Sequence, residues 1–473
     1  MKKQKELNYK RDNAWNKIDA SEKKKIDALC KTYLEYLSDS KTEREAHDNA
    51  IDIVNKIGCK DVAKLTKAEK KLKPGTSFYF SKSGKTLMVV RTGKRPLREG
   101  LRIIGGHTDV PHLDLKPVPL YEDNEICLLD THYYGGIKKY HWVTMPLALH
   151  GVVLKQDGSL VYIVIGEKED DPVFCITDIL PHLGKDQNKK TMGEGVTGEG
   201  LNAIFGNIPA SGKEKDGENT VKANILKLLS DKYKITEEDL ISAELQLVPA
   251  GKARELGIDR SMMIGFGQDD RICSYVALKA MVDSKDIPEY TSVILLCDKE
   301  EVGSIGATGM NSNFFENCVS EMIGMQEGED YSDLSLRRCM SKSKMISADV
   351  GALHDPNYPE VSSPNNMAKL NAGIIISKYL GSGGKGGSND ATAEFVAEIR
   401  KIFNENNVIW QPAELGKVDQ GGGGTIAIFL AKYGMDVIDS GIGLLSMHAP
   451  WEVAGKLDTY MAYKGYKAFL KSK

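Results

Sequence analysis

A chain of 473 residues is too long for one ordinary hydrophobic core, so two domains are expected. Its net charge of −3 excludes the strongly basic face of a nucleic-acid or anionic-membrane binder, and 41% hydrophobic with 27% charged residues excludes a disordered chain. No run is apolar enough to span a bilayer, the charged start "MKKQKELNYKRDN" lacks the apolar stretch of a secretory signal, and eight cysteines without a CxxC pair read as reduced, mostly buried thiols of a cytoplasmic protein.

Residues 13–72 carry apolar positions at helical spacing, in "IDALCKTYLEYL" and again in "AIDIVNKIGC", where a glycine stops the run. "SFYFSKSGKTLMVVRTG" alternates as a hairpin about "SKSGK". "LRIIGGHTDVPHLDLKP" reads as a short strand that breaks at Gly105–Gly106. From about 119 to 250 the texture changes. "HGVVLKQDGSLVYIVIGE" is two strands around an Asp-Gly turn, and "PVFCITDILPHLG" is strand-like and then helical. The Gly-, Lys- and Glu-rich tract from Lys185 to Asn219 reads as a mobile loop, and "ITEEDLISAELQLVPAGKA" as a capped helix followed by a strand. This stretch, residues 119–254, reads as an inserted, mostly β domain.

After about 255, strands and helices alternate. "RICSYVALKAMVDS" is helical, "TSVILLCD" and "SKMISADVGA" are strands, and "NDATAEFVAEIRKIFNENN" is an amphipathic helix. "VIWQ" and "MDVIDSGIG" are strands either side of "GGGGTIAIFLAKYG", a glycine loop running into a helix. Such alternation predicts an α/β sandwich with a largely parallel sheet. In open sheets of that kind, sites form outside the carboxyl ends of the strands.

Polar groups gather at those ends. His107 and Asp109 follow "LRII", Glu300 and Glu301 follow "SVILLC", Asp349 follows "KMISA", and His448 follows "DVIDSGIG". Asp269 and Asp270 come just before a helix. Each alone is weak evidence, since an acidic pair before a helix is commonly an N-cap and a glutamate pair on a loop is commonly solvated. Together, imidazoles and carboxylates suit zinc and other borderline divalent ions. Two such ions need a bridging carboxylate, an acidified water and a further carboxylate to move its proton. Adjacent side chains in a strand face opposite ways, so Glu300 and Glu301 can share a site only where the strand ends and turns, and Gly303 is placed to allow that turn.

The motifs "GGHTDVPHLDLKP", "GQDDR", "CDKEEVGS", "SADVGALHDPNYPE", "GGGTIAIFLAKYG" and "LSMHAPWE" resemble, in order, those of the M18 metallopeptidases, the aspartyl aminopeptidase and vacuolar aminopeptidase I relatives. They extend from about residue 105 to the C-terminus. The resemblance implies a three-layer α/β/α zinc-peptidase-like catalytic domain, residues 1–118 and 255–473, interrupted by a mostly β dimerisation domain, residues 119–254. It implies an aminopeptidase acting on peptides with two divalent ions, zinc or alternatively cobalt or manganese. His107 and His448 would each bind one ion, Asp269 would bridge them, and Glu301 and Asp349 would complete the set. Glu300 would be the general base and Asp109 the orienter of His107. It further implies a homo-oligomer, a twelve-subunit shell in which His182 reaches the neighbouring subunit's site; the plainer reading of His182 is a surface residue.

The chain departs from the acid-specific members. Ala352 and Asp355 stand where those carry histidines, His354 is one residue early, Asp270 replaces a common Asn, and "KYLGSGGKGGSNDA" is more glycine-rich. A neutral or broad preference is therefore expected. Lys369 and Lys378 read as solvated. "GSGGKGGS" lacks the spacing of a phosphate loop, and Gly421–Gly424 reads as tight strand–helix packing. His132, His141 and His150 read as structural or surface, and His112 as a neighbour of the site that binds nothing. Two other functions fit the same residues: another two-metal amidohydrolase, a carboxypeptidase or deacylase, and a non-catalytic assembly protein.

Overall fold

The computed structural model describes residues 7–211 and 219–473. Its largest sheet has seven strands, in the order Lys60–Asp61, Ser77–Lys82, Thr86–Arg91, Thr291–Cys297, Leu101–His107, Lys344–Ser347 and Asp436–Asp439. The last four run parallel, and the hairpin Ser77–Lys82/Thr86–Arg91 joins them antiparallel. Every residue of "TSVILLC" and "LRIIGGH" is buried, as a parallel strand covered on both faces must be.

Alternate residues feed two cores. Ile104, Ile294, Leu296 and Ile346 pack with the helices Gln268–Val282 and Lys456–Leu470. Ile103, Val293, Leu295 and Met345 pack with Phe314–Glu327 and Asp333–Lys342. The amino-terminal helices Ala20–Ser38 and Glu43–Asn55 join the first core, the second of them closed by a capping box between Thr42 and Glu45. Helix does not continue to residue 72: after Asn55 the chain turns, and Lys60–Asp61 becomes an edge strand.

Gly105 and Gly106 do not break their strand, which runs on to His107. They are there for close approach. A Cβ on Gly106 would sit 2.5 Å from Asp270 Oδ2 and 2.9 Å from Ser274 Oγ.

A second sheet of six antiparallel strands runs in the order Leu160–Ile165, Leu147–Leu154, Ala243–Pro249, His112–Asp123, Ile126–Tyr134 and Ala203–Gly206. It has its own core around Trp142, Leu149 and Leu247. Its strand His112–Asp123 begins before residue 119. "PVFCITDILPHLG" forms two isolated bridges, at Phe174 and Cys175, and turns rather than a helix. "EDLIS" winds as one 3-10 segment, Glu238–Ser242, before its strand. In the tract from Lys185 to Asn219 the described residues include a short helix, Met192–Gly195, and a strand, Ala203–Gly206; residues 212–218 lie outside the description.

A five-stranded sheet, Arg254–Leu256, Met262–Gly265, Glu452–Gly455, Gly443–Leu445 and Gly351–Ala352, completes the frame. Its pairing of Gly265 with Glu452 sets the segment after Gly443–Leu445 beside Asp269.

Candidate metal centre

Register places the site. Cys297 pairs with His107 and Ser347 with Gly105, so three parallel strands end at nearly one level. His107 is the last residue of its strand, and Asp349 lies two residues beyond Lys344–Ser347. Glu300–Val302 is a single 3-10 turn, flanked by Lys299 and Gly303 at positive φ, 68° and 90°. That turn lets two adjacent glutamates share one site. Asp269 and Asp270 open the helix Gln268–Val282 with non-helical backbone, so both carboxylates face the strand ends. His448, at φ 64°, comes from the loop after Gly443–Leu445.

His107, Asp269, Glu300, Glu301, Asp349 and His448 line one cavity of about 230 Å³. His107 Nε2 is 3.3 Å from Asp269 Oδ1 and 3.8 Å from Asp349 Oδ1. His448 Nε2 is 3.3 Å from Asp269 Oδ2 and 3.5 Å from Glu301 Oε2. The two oxygens of Asp269 thus face the two imidazoles. Three groups in the set have ligand atoms close enough to share an ion: His107 with Glu300 and Glu301, His107 with Asp270 and Asp349, and Asp269 with Glu301 and His448.

The far nitrogen of each imidazole is fixed by a carbonyl. His107 Nδ1 lies 2.9 Å from the Asp109 carbonyl oxygen, and His448 Nδ1 lies 2.9 Å from that of Gly136. A carbonyl only accepts, so Nδ1 carries a proton, and Nε2 is the nitrogen whose lone pair would turn to the cavity when the ring is neutral. Asp269 Oδ1 and Glu301 Oε1 are buried with no hydrogen-bond donor. Unpartnered carboxylate oxygens beside imidazole lone pairs fit a divalent cation, which would satisfy both.

The charges show the same demand. Burial opposes a charge on His107, but Asp109 and Asp269 override it and raise its pKa well above the ordinary value. His448 is opposed by burial too, yet Asp269 and Glu301 hold it up to about 10. Burial pushes Glu301 and Asp349 well above the carboxylate range, and Glu300 to about 7. Asp269 goes the other way: burial raises it, and the two imidazoles facing its oxygens bring it below its usual value.

Some sequence candidates lie apart. His182 is exposed and does not line the cavity, and Lys369 and Lys378 are exposed outside it. His354 bonds Ser362 Oγ at 2.9 Å. His112 stacks on Tyr134 and pairs with Asp114, and His150 is buried between Glu45 and Glu167. Gly422–Gly424 do line the cavity; a Cβ on Gly422 would strike the Ser382 backbone at 2.5 Å, so the two glycine-rich loops pack main chain on main chain.

Sequence reasoning missed Glu452. It is 1% exposed, and its two oxygens accept the His448 N–H at 2.8 Å and the Asp269 N–H at 3.1 Å, tying two arms of the site together. Burial, and then Asp269, raise it to about 8. The signal was its place four residues after His448 in "MHAPWE". Tyr134 and Gly136, which touch Asp109 and His448, had no signal of this kind.

Imidazoles and carboxylates on one cavity at the carboxyl ends of parallel strands define the class of α/β metallohydrolases. The family model "Aminopeptidase I zinc metalloprotease (M18)" matches residues 36–470. The chain belongs to that family and is a metallo-aminopeptidase of the hydrolase class. It is 50% identical over 462 residues to a probable M18 family aminopeptidase 1 of Clostridium acetobutylicum, covering 97% of this chain and 98% of that one. The crystal structure of an M18-family aminopeptidase from Thermotoga maritima superposes with a TM-score of 0.93 at 42% identity, covering 98% of this chain and all of that one. A yeast mApe1 solved as a dodecamer shares the fold at 22% identity, TM-score 0.75, over 95% of this chain and 97% of that one.

Proposed function

We propose that the chain removes the N-terminal residue of peptides with two divalent cations, zinc by the family's description, and Glu300 as general base. The observation that carries the reading is the facing of both oxygens of Asp269 by the two imidazoles, with Asp269 Oδ1 and Glu301 Oε1 buried and unpartnered. His107 and Asp349 would hold one ion, His448 and Glu301 the other, and Asp269 both. Bound there, such ions polarise a peptide carbonyl and acidify water.

The chain's own groups handle the proton. Glu300 takes one from the attacking water and delivers it to the leaving amine as the C–N bond breaks. Burial holds its carboxyl up to about 7, and divalent charge nearby favours the carboxylate, the form that accepts. Asp109 keeps Glu300 aimed, because its carboxylate accepts the Glu300 and Glu301 N–H groups at 3.1 Å each.

The cavity wall supports a neutral or broad preference. Val350, Ile375, Leu380, Leu415 and Met447 line it, Glu414 is the further carboxylate there, and no lysine or arginine does. Beyond the metal-facing set, an acidic side chain would meet the Glu414 carboxylate and no lysine or arginine among the described residues.

The main sheet with the cores on both its faces reads as the catalytic domain, three layers of helix, sheet and helix over the described residues 7–111 and 255–473. The six-stranded sheet reads as the insert through which a homo-oligomer forms, of twelve subunits if it follows the yeast relative. The support is its outer strand Leu160–Ile165, which exposes Leu160, Tyr162 and Val164 on an unpaired edge. His182 would then face a neighbouring subunit. Eight free cysteines, seven of them buried, suit a reducing compartment, the cytoplasm.

The test is a panel of neutral and acidic aminoacyl-p-nitroanilides with N-acetylated controls, assayed after chelation and after return of Zn²⁺, Co²⁺ or Mn²⁺. Metal-dependent cleavage of free-amine substrates alone, neutral ones foremost, is expected. Cleavage of blocked substrates would move the reading to a broader amidohydrolase.

A further inference from the structure

The β-rich insert reaches the metal centre through three consecutive residues at the end of its strand Ile126–Tyr134. Tyr134 Oη donates to Asp109 Oδ2 at 2.8 Å. Gly135, at φ +75°, lies so close to the glutamate turn that a Cβ there would come within 3.3 Å of the Glu301 Cβ. The Gly136 carbonyl accepts from His448 Nδ1 at 2.9 Å. One short segment therefore meets the group that holds Glu300, the glutamate beside it, and the imidazole on the far side of the cavity.

We propose that Tyr134 is a positioning residue of the peptidase reaction: acting through Asp109, its hydroxyl sets the turn that carries Glu300 and Glu301, and Tyr134–Gly136 couples the placement of the insert to the geometry of the metal centre. The proposal rests on the reading of Glu300 and Glu301 given above.

The argument is one of donors. The Asp109 carboxylate is 1% exposed, so water does not solvate it. Oδ1 accepts from Glu300 N and lies 3.4 Å from His107 Nδ1; Oδ2 accepts from Glu301 N and from Tyr134. Tyr134 is the only side-chain hydroxyl among these donors. Without it, a buried charge loses a strong hydrogen bond, and the groups free to answer are the two backbone N–H groups of the turn. Burial and the Asp109 charge push the phenol far above its ordinary pKa, so it stays a donor. The ring cannot wander: it stacks on His112 with centroids 4.5 Å apart at 17°. It also walls a second, polar cavity of about 280 Å³ with Glu43, Lys85 and Asp298.

Tyr134→Phe keeps the ring and its stacking and deletes only the hydroxyl. In the full zinc-loaded chain, kcat is expected to fall about 10- to 100-fold while KM stays within about twofold, and the zinc Kd from competitive chelator titration to rise about 10-fold. A cycle with Asp109→Asn is the second arm. Once the carboxylate is gone, adding Tyr134→Phe should lower kcat by less than about threefold more. Wild-type kcat and zinc affinity in Tyr134→Phe, or effects of the two substitutions that simply multiply, would overturn the proposal. The zinc titration is independent of turnover. A wild-type chain that cleaved no free-amine substrate would sink the aminopeptidase reading, and the titration would still decide for or against Tyr134.

Discussion

Asp109 holds His107 by its main chain, with His107 Nδ1 2.9 Å from the Asp109 carbonyl oxygen, while the Asp109 carboxylate stands 3.4 Å from that nitrogen and spends its hydrogen bonds on the Glu300–Glu301 turn. One residue thus fixes a cavity-facing imidazole with its backbone and the glutamate pair with its side chain. An aspartate two residues after the histidine is suited to this, because its carbonyl turns back on the ring as its side chain crosses to the next strand end.

Glu300→Gln keeps the shape of the side chain and removes its capacity to accept a proton. The expected result is a loss of about 10²- to 10⁴-fold in kcat with zinc content unchanged, measured by single-turnover assay and metal analysis. Near-wild-type turnover in the zinc-replete variant would remove Glu300 from its role.

Removing the metal should cost stability as well as activity, since Asp269, Glu301 and Asp349 then crowd together, with Asp269 Oδ1 and Glu301 Oε1 left unpartnered. With free zinc at a hundredfold above its Kd, the holo chain gains about 2.7 kcal/mol over the chelated one. Denaturant midpoints with and without chelator measure this; coincident curves would argue against a built site.

His150 predicts a pH dependence away from the metal centre. Its ring is 3% exposed, with Nδ1 2.8 Å from Glu45 Oε1 and Nε2 3.1 Å from Glu167 Oε1, so both nitrogens donate and the ring is cationic. Burial opposes that charge, and the two carboxylates outweigh it, raising the pKa above 6.5. The folded state binds the proton more tightly than the unfolded one. The contribution is complete below the unfolded pKa, and it is lost as pH rises from there through the raised folded value. His150→Gln should flatten the fall of the unfolding midpoint above about pH 6.5, the unperturbed histidine value. An unchanged slope would count against it.

Gly106→Ala tests close approach in the strand. The added Cβ would meet Asp270 Oδ2 at 2.5 Å and the Ala348 carbonyl at 3.0 Å. A destabilisation of about 1–3 kcal/mol is expected, with weaker zinc binding as His107 shifts, read from denaturant midpoints and chelator competition. A wild-type midpoint would mean that the helix start moves aside freely.

The paired substitution Tyr162→Asp and Val164→Asp charges the exposed edge strand. Light scattering should report a smaller assembly than the wild type. An unchanged mass would place the contact elsewhere.

Strand ends were the legible part. A buried parallel strand is a run of apolar residues, so the polar residues that follow "SVILLC", "LRII" and "KMISA" announced where the sheet stops, and Glu300, Glu301, His107 and Asp349 among them line the cavity. Gly105 and Gly106 misled, because a glycine pair reads as a break in a chain but serves here as clearance, Gly105 for the Met345 and Ile426 side chains and Gly106 for Asp270. Tyr134 and Gly136 were silent for another reason, while Glu452 could be read only from its spacing to His448 in "MHAPWE". Tyr134 and Gly136 act through single hydrogen bonds to partners in other elements, and such pairings leave no period or spacing. The two cores on either face of the main sheet were foreshadowed by strand–helix alternation, whereas the start of the insert's sheet at His112 was hidden inside a motif already given to the site.

The bond between His448 and the Gly136 carbonyl joins positions 312 apart in the chain. Closing so wide a loop is paid in entropy before any contact in the centre is made, and it can close only when the sheet, the insert and the carboxyl-terminal segment are all in place. A half-folded or partly synthesised chain therefore lacks one arm of its own cutting centre. The site's assembly is thereby tied to completion of the fold.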